Sequence, residues 1–457
     1  MDYLDELGAF AADLQYKDLP SSVRQQLGWV LADTLAAIVA GSAEPEVRAM
    51  AERVAHPGNA TLIGLGLGAS PMEAALINGT GGTFLEMDEG NRFSRGHPAI
   101  HVLPAVLALC EARDVEADQL LAGLMAGYEV GSRLGAAAQL RSVMHPHGTW
   151  GTLGAAAGCA RVLGMDARMM REAINTAASM SIATSKKTML QGGLVRNVYA
   201  GLSNSNGMLA SQLVQSGFGG EADGPGSLLG EIVSERFDRQ AVVRELGQEW
   251  HVMQNYFKLH SCCRFNHGTL DALDMLAAQG VLPAAQEIAT IQATTYNLAA
   301  ELNDPAPRNT LAAKFSVPFA VATRIIHGGS GLASFTWEAV RRADVLALAA
   351  KVSVAEDPAM TSQLPHKRPA LVRITDRQGR EVQAEVGVNR GDDTSPYTHE
   401  ELTGKFHELC GRVWPRAHAD ALLNATLTLG EGRQDGRASL QDWLALLRRP
   451  AAHVLAE

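Results

Sequence analysis

The segment 86–101, EMDEGNRFSRGHPAIH, concentrates side chains that could do acid–base chemistry. Its sixteen residues include three carboxylates, two arginines and two histidines, and it lies between two apolar stretches that predict buried helices. Histidine titrates near neutral pH and can exchange a proton with carbon, while arginine binds carboxylates through its planar fork. A charged run between helices is usually a solvated loop, and this segment alone leaves both interpretations open. Its candidate site residues are Asp88, Arg92 and His97.

Three further polar stretches interrupt an otherwise apolar pattern: HPHGTW at 145–150, KKTMLQGGLVRNVYAG at 186–201 and NYFKLHSCCRFNHG at 255–268. Each one has an ordinary structural interpretation, as a helix cap, a satisfied buried histidine or an ion pair. Together with the first segment, they supply enough histidines, carboxylates and cations for one pocket. Their candidate site residues are His145, His147, Arg196, Tyr199, Lys258, Cys263 and His267.

These residue types suit a carbon acid, in which a proton moves at a carbon next to a carboxylate while cations hold the negative charge. They do not suit phosphoryl transfer, because the chain has no glycine-rich loop ending in Lys-Ser/Thr. The glycines of GLGLG at 64–68 have the wrong spacing for a dinucleotide site. A Cys–His nucleophile at Cys263 and His267 is weakly supported, since that spacing is common by chance. His145 and His147 leave a metal conceivable, but no zinc-type ligand spacing occurs, and we predict no metal.

Helices are expected to position these polar stretches. PSSVRQQLGWVLADTLAAIVAG, SPMEAALINGTGGTFLEM and later segments have apolar residues at helical spacing, with Gly and Ala placed to allow close backbone approach. After about residue 283 the pattern changes. EIATIQATTYNLA and AAKVSVAED predict strands, TLAAKFSVPFAVATRIIHGG predicts a helix, and PALVRITDRQGREVQAEVGV predicts a hairpin turning near 376–379. We therefore predict a mainly α chain, with an all-α domain at 1–267 and 399–457, an inserted α+β lid domain at 268–398, and a cleft between them.

Composition limits the class of protein. With 457 residues, 46% of them hydrophobic, the chain is long enough for more than one core. A net charge of −10 argues against a nucleic-acid partner, and no apolar run reaches the roughly 20 residues of a membrane span. Five cysteines without framework spacing and an acidic N-terminal stretch unlike a signal peptide lead us to expect a reduced, cytoplasmic protein.

The motifs, in their order along the chain, resemble the MmgE/PrpD family, which contains 2-methylcitrate dehydratase, cis-aconitate decarboxylase and iminodisuccinate epimerase. The matching stretches are LADTLAAIVAG, DE followed by RGHP and LPAVLAL, a histidine six residues before GTLGAAA, RNVYAG, FKLHSCCRFNH and AAKFSVPFAVA. The resemblance implies a large discontinuous all-α domain, a smaller α+β lid domain and a homodimer. It also implies a site in the interdomain cleft that uses no metal or organic cofactor.

Four residues match the family pattern by position. Asp88 matches its acidic site residue, His97 the histidine of GHP, His145 the histidine before the Gly-Thr turn, and His267 the histidine that closes CxxxH. The chain departs from that pattern in three places. Arg196 stands where relatives usually have lysine, Tyr199 stands where they usually have histidine, and the threonine usual after the acid is replaced by Asn91 and Arg92. Arginine can anchor a carboxylate but does not readily donate a proton.

We therefore predict an enzyme that acts on a small di- or tricarboxylate. Arg92, Arg196 and Lys258 would hold carboxylates, while His97, His145 or His267 would move the proton with Asp88 in support. Loss of water or carbon dioxide would make the enzyme a lyase, which is the class we predict. Return of the proton to the opposite face would make it an epimerase, which needs two groups flanking one carbon. A catalytically silent relative that binds a carboxylate is a third alternative.

Overall fold

Two large hydrophobic cores organise the chain, which a computed structural model describes for residues 2–113, 115–430 and 436–451. The first core is helical and draws its residues from 3–257 and 397–451. The second core lies around a four-stranded sheet and draws on 262–386, with Met189. We call these the helical part and the sheet part. The mainly α architecture predicted from the sequence is confirmed; the domain boundaries stay a prediction.

Helices make up most of the helical part. In chain order they are α1 Tyr3–Asp13, α2 Ser21–Ser42, α3 Pro45–Val54, α4 Pro71–Phe84, α5 Leu103–Arg113, α6 Ala117–Ala137, α7 Trp150–Val162, α8 Ala167–Ala178, α9 Lys187–Leu190, α10 Val198–Gln215 and α11 Arg239–Val243. The helices that follow are α12 His267–Ala278, α13 Asn297–Ala300, α14 Thr310–Lys314, α15 Val317–His327, α16 Trp337–Arg341, α17 Ala343–Ala349, α18 Pro358–Thr361, α19 His399–Cys410, α20 Arg416–Leu427 and α21 Gly436–Leu447.

The strands outside the main sheet have two to six residues each. They are β1 Pro57–Leu62, β2 Leu67–Ala69, β3 Gly90–Asn91, β4 Ala138–Leu140, β5 Ser234–Phe237, β6 Asn255–Tyr256, β7 Ile288–Thr295, β8 Val352–Glu356, β9 Ala370–Asp376 and β10 Glu381–Val386. The main sheet has the order β10-β9-β7-β8, with β7 and β8 parallel and the other pairs antiparallel. The β9–β10 hairpin turns after Asp376, as predicted.

The polar stretches lie at helix ends. A capping box between Ser70 and Glu73 and the proline at the first turn start α4, which ends at Phe84 just before the polar segment 86–101. The α7 helix begins at Trp150, directly after HPHGT, and α10 begins two residues after Arg196. Short connections of this kind place polar side chains at the edge of the packed helices, where they can line a pocket.

The sequence predicts one continuous helix over 310–329, but the structure has two. The α14 helix ends at Lys314, and α15 begins at Val317. Ser316 caps α15, because its side chain accepts the backbone N–H of Phe319, and Pro318 in the first turn has no N–H to continue the preceding helix. The break turns the chain at Phe315, which lines the cavity described below.

Glycine contacts bring α6 and α7 together. A Cβ atom on Gly154 would lie 2.7 Å from the carbonyl oxygen of Gly127, and one on Gly158 would lie 2.8 Å from that of Gly123. Both distances are too short for a real side chain, so glycine permits this helix spacing. Close packing here fixes the start of α7, and with it the position of the neighbouring histidines.

Among the described residues, no single helix has the length and apolarity needed to cross a membrane. The pair α2 and α3, bent by 85° at its break, meets those criteria only when its two helices are joined.

We expect Gly154→Ala to lower the free energy of unfolding by about 1–3 kcal/mol, because the added methyl group must push α6 and α7 apart. Gly404→Ala is the matched control. Gly404 lies inside α19, and a Cβ there meets nothing within 4 Å, so alanine should stabilise that helix by about 0.5–1 kcal/mol. Guanidinium unfolding of both variants checks the two signs. A Gly154→Ala variant as stable as the native chain would show that the helices are not held at contact distance.

Candidate active site

The polar segment 86–101 is buried. Glu86, Asp88 and Glu89 are each at most 2% exposed, and Arg95 is the one exposed residue of the segment. The solvated-loop interpretation is therefore wrong for this segment. A buried charge is costly unless it is paired, so its partners determine what the segment can do.

Two buried lysines hold the backbone of this segment. Lys258 Nζ donates to the carbonyl oxygen of Glu86 at 2.9 Å. Lys405 Nζ donates to the carbonyl oxygen of Met87 at 2.6 Å and to Asp33 Oδ1 at 2.5 Å. Glu86 has a left-handed backbone with φ of 55°, which is unfavourable for a side chain of this kind. The lysine contacts on either side of its peptide group maintain that conformation.

Asp88 and His97 form an acid–base pair. His97 Nδ1 lies 3.1 Å from Asp88 Oδ2 and donates to the carbonyl oxygen of Glu89 at 2.6 Å. Burial alone would raise the pKa of the Asp88 carboxyl, but His97 and Lys258 more than offset it and hold that pKa well below its usual range. Asp88 is therefore ionised and stabilises positive charge on the ring. In the described chain, His97 Nε2 has no hydrogen-bond partner, so it is available to a ligand.

Glu89 is a buried acid that keeps its proton. Its Oε1 accepts the backbone N–H of Ala99 at 2.9 Å, and its Oε2 lies 3.2 Å from the Tyr128 hydroxyl. Burial, followed by the charges of Asp33 and Asp88, raises the pKa of Glu89 from its ordinary 4.5 to about 8. Glu89 therefore adds no second negative charge beside the Asp88–His97 pair at neutral pH.

Three neutral histidines pack beside His97. The ring of His147 makes edge-to-face contacts with those of His97, His101 and His145, at centroid distances of 5.0, 4.8 and 4.7 Å. Burial, followed by the charge of Arg196, lowers the pKa of His145 and of His147 well below the ordinary value. Burial also lowers the pKa of His101 to about 4. These rings offer hydrogen bonds but carry no charge at neutral pH.

Arg196 connects His145 to Glu86. Its Nη1 pairs with Glu86 Oε1, and its Nε lies 3.3 Å from His145 Nε2. The backbone N–H of His147 points at His145 Nδ1 from 3.1 Å. A neutral imidazole has one acceptor nitrogen, so His145 can satisfy only one of these two donors at a time. The other donor remains available to an oxygen atom of a ligand.

A cavity that is partly open to solvent joins these groups. Five of the residues predicted from the sequence line it: His97, His145, His147, Arg196 and Cys263. The rest of its wall consists of Glu86, Arg95, Leu140, Arg141, Ser142, Met144, Pro146, Lys186, Met189, Tyr256, Arg264, Phe265, Leu298, Phe315 and Arg368.

The other five predicted residues are buried behind this wall. Lys258 lies 3.6 Å from Asp88, as part of the network already described. Arg92 pairs with Asp393, and the ring of Tyr199 packs against that of His145 at 5.6 Å. A sequence predicts which stretches are polar, but it does not show which of their side chains face the cavity.

His267 also lies behind the wall, with both ring nitrogens engaged. Arg264 Nη1 lies 2.9 Å from its Nδ1, and its Nε2 is 3.3 Å from the carbonyl oxygen of Cys262. Burial, followed by the charge of Arg264, lowers the pKa of His267 well below its ordinary value. Arg264 itself lines the cavity and pairs with Asp392 at 2.8 Å. His267 thus contacts a cavity residue without facing the cavity.

Sequence reasoning missed most of the cavity cations. Arg95, Lys186 and Arg264 lie inside the polar stretches but were not among the candidates, and Arg141 comes four residues before His145. Their location in those stretches was the available signal. Arg368 had no such signal, because it lies in a separate segment just before β9.

Positive charge dominates the wall, where six arginine and lysine residues face a single carboxylate, that of Glu86. Three of these cations have carboxylate partners in the protein, namely Lys186 with Glu301, Arg196 with Glu86 and Arg264 with Asp392. In the described part of the chain, the other three have none: Arg95, Arg141 and Arg368. A cavity with uncompensated cations attracts anions, and guanidinium groups favour carboxylates.

A separate His/Asp group has spacing compatible with a metal ion. Ligand atoms of His260, Asp271 and Asp274 lie within 4.8 Å of one another, outside the cavity wall. Arg324 Nε pairs with Asp274 at 2.6 Å, and His260 Nδ1 lies 2.5 Å from the Ser330 hydroxyl oxygen. These contacts form an internal hydrogen-bond network, so the group receives no functional assignment.

Two family models match the chain. The family described as the MmgE/PrpD N-terminal domain matches residues 5–224, and the MmgE/PrpD C-terminal domain matches residues 260–429. The chain is 24% identical to a cis-aconitate decarboxylase of Aspergillus terreus, over 98% of this chain and 96% of that protein. It is 23% identical to the cis-aconitate decarboxylase-like protein oryM of Aspergillus oryzae, over 97% of this chain and 96% of that protein.

Glu89 should make stability depend on pH. Its folded pKa of about 8 lies above its ordinary 4.5, so the folded state binds the proton more tightly, and stability should fall as pH rises between these values. We expect Glu89→Gln to flatten that fall and to be more stable than the native chain at pH 8.5. Guanidinium unfolding at pH 5 and pH 8.5 measures both effects. Replacing the exposed Glu46 by Gln should leave the pH dependence unchanged, whereas equal slopes for the native chain and Glu89→Gln would contradict the assignment.

Proposed function

Because the chain belongs to the MmgE/PrpD family, we propose that it is a lyase that releases carbon dioxide from a small di- or tricarboxylate. The observation that carries the proposal is a cavity that combines surplus positive charge with the Asp88–His97 pair. The charge suits a polycarboxylate, and the pair suits proton delivery to carbon. The names of the relatives, cis-aconitate decarboxylase, support loss of carbon dioxide over loss of water.

The charge balance favours a tricarboxylate over a dicarboxylate. Arg95, Arg141 and Arg368 line the cavity without a carboxylate partner in the described chain. Arg141 donates to the backbone carbonyl oxygens of Ile232 and Glu231, at 3.0 and 3.2 Å, and neither of these acceptors is a carboxylate. Three carboxylates would neutralise these three guanidinium groups, whereas two would leave one uncompensated.

His97 is proposed as the proton donor. The bond from carbon to the departing carboxylate breaks, its electron pair stays on the carbon framework, and carbon dioxide leaves. His97, protonated at Nε2, then gives its proton to the resulting carbanion, and the ring regains a proton from solvent before the next turnover. The carbonyl oxygen of Glu89 orients the ring through Nδ1, and the carboxylate of Asp88, 3.1 Å from the same nitrogen, stabilises the imidazolium.

The remaining candidates take supporting roles in this proposal. His145 and His147 hydrogen-bond the substrate as neutral rings, and Arg196 supplies charge beside them. Cys263 is a wall residue, and burial raises the pKa of its thiol to about 11, so it stays protonated. The residues behind the wall position others: Lys258 holds Asp88, Tyr199 packs on His145, Arg92 binds Asp393, and His267 contacts Arg264.

Epimerisation is the second candidate, because three imidazole rings line the cavity. That reaction needs proton carriers on opposite faces of one carbon. Burial keeps His145 and His147 neutral, and neighbouring rings in direct contact leave no room for a carbon atom between them. Of these three rings, His97 is the one with a carboxylate, that of Asp88, at 3.1 Å in the described chain, which favours proton delivery from one side and therefore the lyase.

Proton NMR in deuterated buffer tests the reaction class. We expect cis-aconitate to lose carbon dioxide and to gain one deuterium at the carbon that is protonated. Dehydration of a hydroxy-tricarboxylate with no decarboxylation would replace the proposed reaction by water loss. Deuterium exchange next to a carboxylate, with neither carbon dioxide nor water released, would indicate the epimerase. Tight binding of these acids without exchange or product would identify a silent binding protein.

His97→Gln and Asp88→Asn should each lower kcat by at least about 100-fold, because the first removes the proton carrier and the second removes the charge that supports it. KM should change much less, since in this proposal the arginines, and neither of these two side chains, hold the substrate carboxylates. The exposed His327, at the end of α15, is the matched control, and His327→Gln should keep native kinetics. Native kcat in His97→Gln would remove His97 from the proton transfer.

A further inference from the structure

Arg368 is a buried cation without an acid. Its residue is 4% exposed, and it comes from the sheet part, two residues before β9. Its Nη2 donates to the carbonyl oxygen of Arg92 at 3.2 Å, but its Nη1 is buried with no hydrogen-bond partner in the described chain. The guanidinium also lies over the rings of Tyr256 and Phe265, 5.6 and 5.8 Å from their centroids. These contacts fix the direction of the guanidinium group and leave Nη1 without a hydrogen-bond partner in the described chain.

Arg95 reaches the same cavity from the helical part. It lies on the connection between α4 and α5, and its backbone is left-handed with φ of 58°. Such a conformation is unfavourable for arginine and is kept where the surrounding structure requires it. Arg95 has no hydrogen-bond or ion-pair partner in the described chain and is exposed on the cavity side. Arg95 and Arg368 line the same cavity, and partial burial, followed by the charge of Arg368, lowers the pKa of Arg95.

Two like charges that face one cavity, without an acid between them, lower the stability of the ligand-free protein. Each unpaired guanidinium loses hydration on burial, and their mutual repulsion adds to that cost. A carboxylate placed between them would remove both penalties, because it can accept hydrogen bonds from two forks at once.

We infer that Arg95 and Arg368 together hold one carboxylate of the substrate, and that this is the carboxylate retained in the product. This inference rests on the proposed function. Because the two arginines come from different parts of the fold, the substrate would bridge the helical part and the sheet part.

The direction of charge movement identifies the retained carboxylate. When carbon dioxide leaves, the departing carboxylate loses its charge, so cations around it would stabilise the substrate more than the transition state. The electron pair moves onto carbon and is shared with a conjugated carboxylate. Cations around that second carboxylate therefore stabilise the transition state more than the substrate. A guanidinium pair therefore accelerates the reaction only when it surrounds the conjugated carboxylate that takes up the electron pair.

The test is a double-mutant cycle with the saturated tricarboxylate tricarballylate, measured by calorimetry. We expect Arg95→Met and Arg368→Met each to raise Kd at least about tenfold. The double variant should lose less than the product of the two single losses by at least about threefold, since both side chains hold the same group. Arg377→Met removes an exposed arginine outside the cavity wall and should leave Kd unchanged. Single losses that multiply without coupling would overturn the shared carboxylate.

Two further measurements separate binding from a structural role. Because Arg368 is buried without an acid, the melting temperature of ligand-free Arg368→Met should equal or exceed that of the native chain. In addition, kcat/KM for cis-aconitate should fall more than the affinity for tricarballylate, because the contact strengthens in the transition state. A lower melting temperature with native affinity would make Arg368 structural and overturn the inference.

The failure of this inference is distinct from that of the proposed function. If the native chain decarboxylates cis-aconitate and both single variants bind tricarballylate as tightly as it does, the arginine pair is refuted and the lyase stands. If the native chain neither binds tricarballylate nor converts cis-aconitate, both proposals fall.

Discussion

Burial of acidic side chains beside the cavity is the constraint on which the site depends. Asp33, Glu86 and Asp88 are at most 7% exposed, and an unpaired buried charge costs on the order of several kcal/mol. Lys405 pairs with Asp33, Arg196 pairs with Glu86, and Lys258 lies near Asp88. Burial raises the pKa of Asp33 despite its contact with Lys405. Loss of either member of that pair would leave the other without a partner. The pairing draws α2, the polar segment, the 255–268 stretch and α19 to one point.

The buried acids and the cations of the cavity wall differ in how far their charge is compensated. The acids Asp33, Glu86 and Asp88 have lysine or arginine partners, whereas Arg95, Arg141 and Arg368 of the cavity wall have no carboxylate partner in the described chain. A polycarboxylate can therefore supply the missing negative charge without competing with Asp88 for its partners. This separation would allow an ionised Asp88 to remain beside the proposed carboxylate site, where mutual repulsion would otherwise weaken binding.

Much of the fold could be predicted because its signals are local. Ser70 and the following proline mark the start of α4, and the β9–β10 hairpin alternates clearly. The polar stretches were recognisable because charge is costly inside an apolar chain. Which side chains face the cavity could not be predicted, as Lys258 and Arg264 show: they come from one stretch, yet only Arg264 lies on the wall. Arg368 follows HK and precedes a proline, a context that reads as an exposed loop, and its burial depends on distant residues.

Arg196 bears on which histidine carries the proton in the proposed mechanism. Its guanidinium binds Glu86 through Nη1 while Nε approaches His145, which a single ammonium group could not do with the same geometry. Arginine stays charged at all relevant pH values, so its field permanently opposes a proton on His145 and His147. His97 differs from these two rings, because the carboxylate of Asp88 lies 3.1 Å from its Nδ1. In the proposed mechanism Arg196 does not donate a proton, and the proton comes from the Asp88–His97 pair.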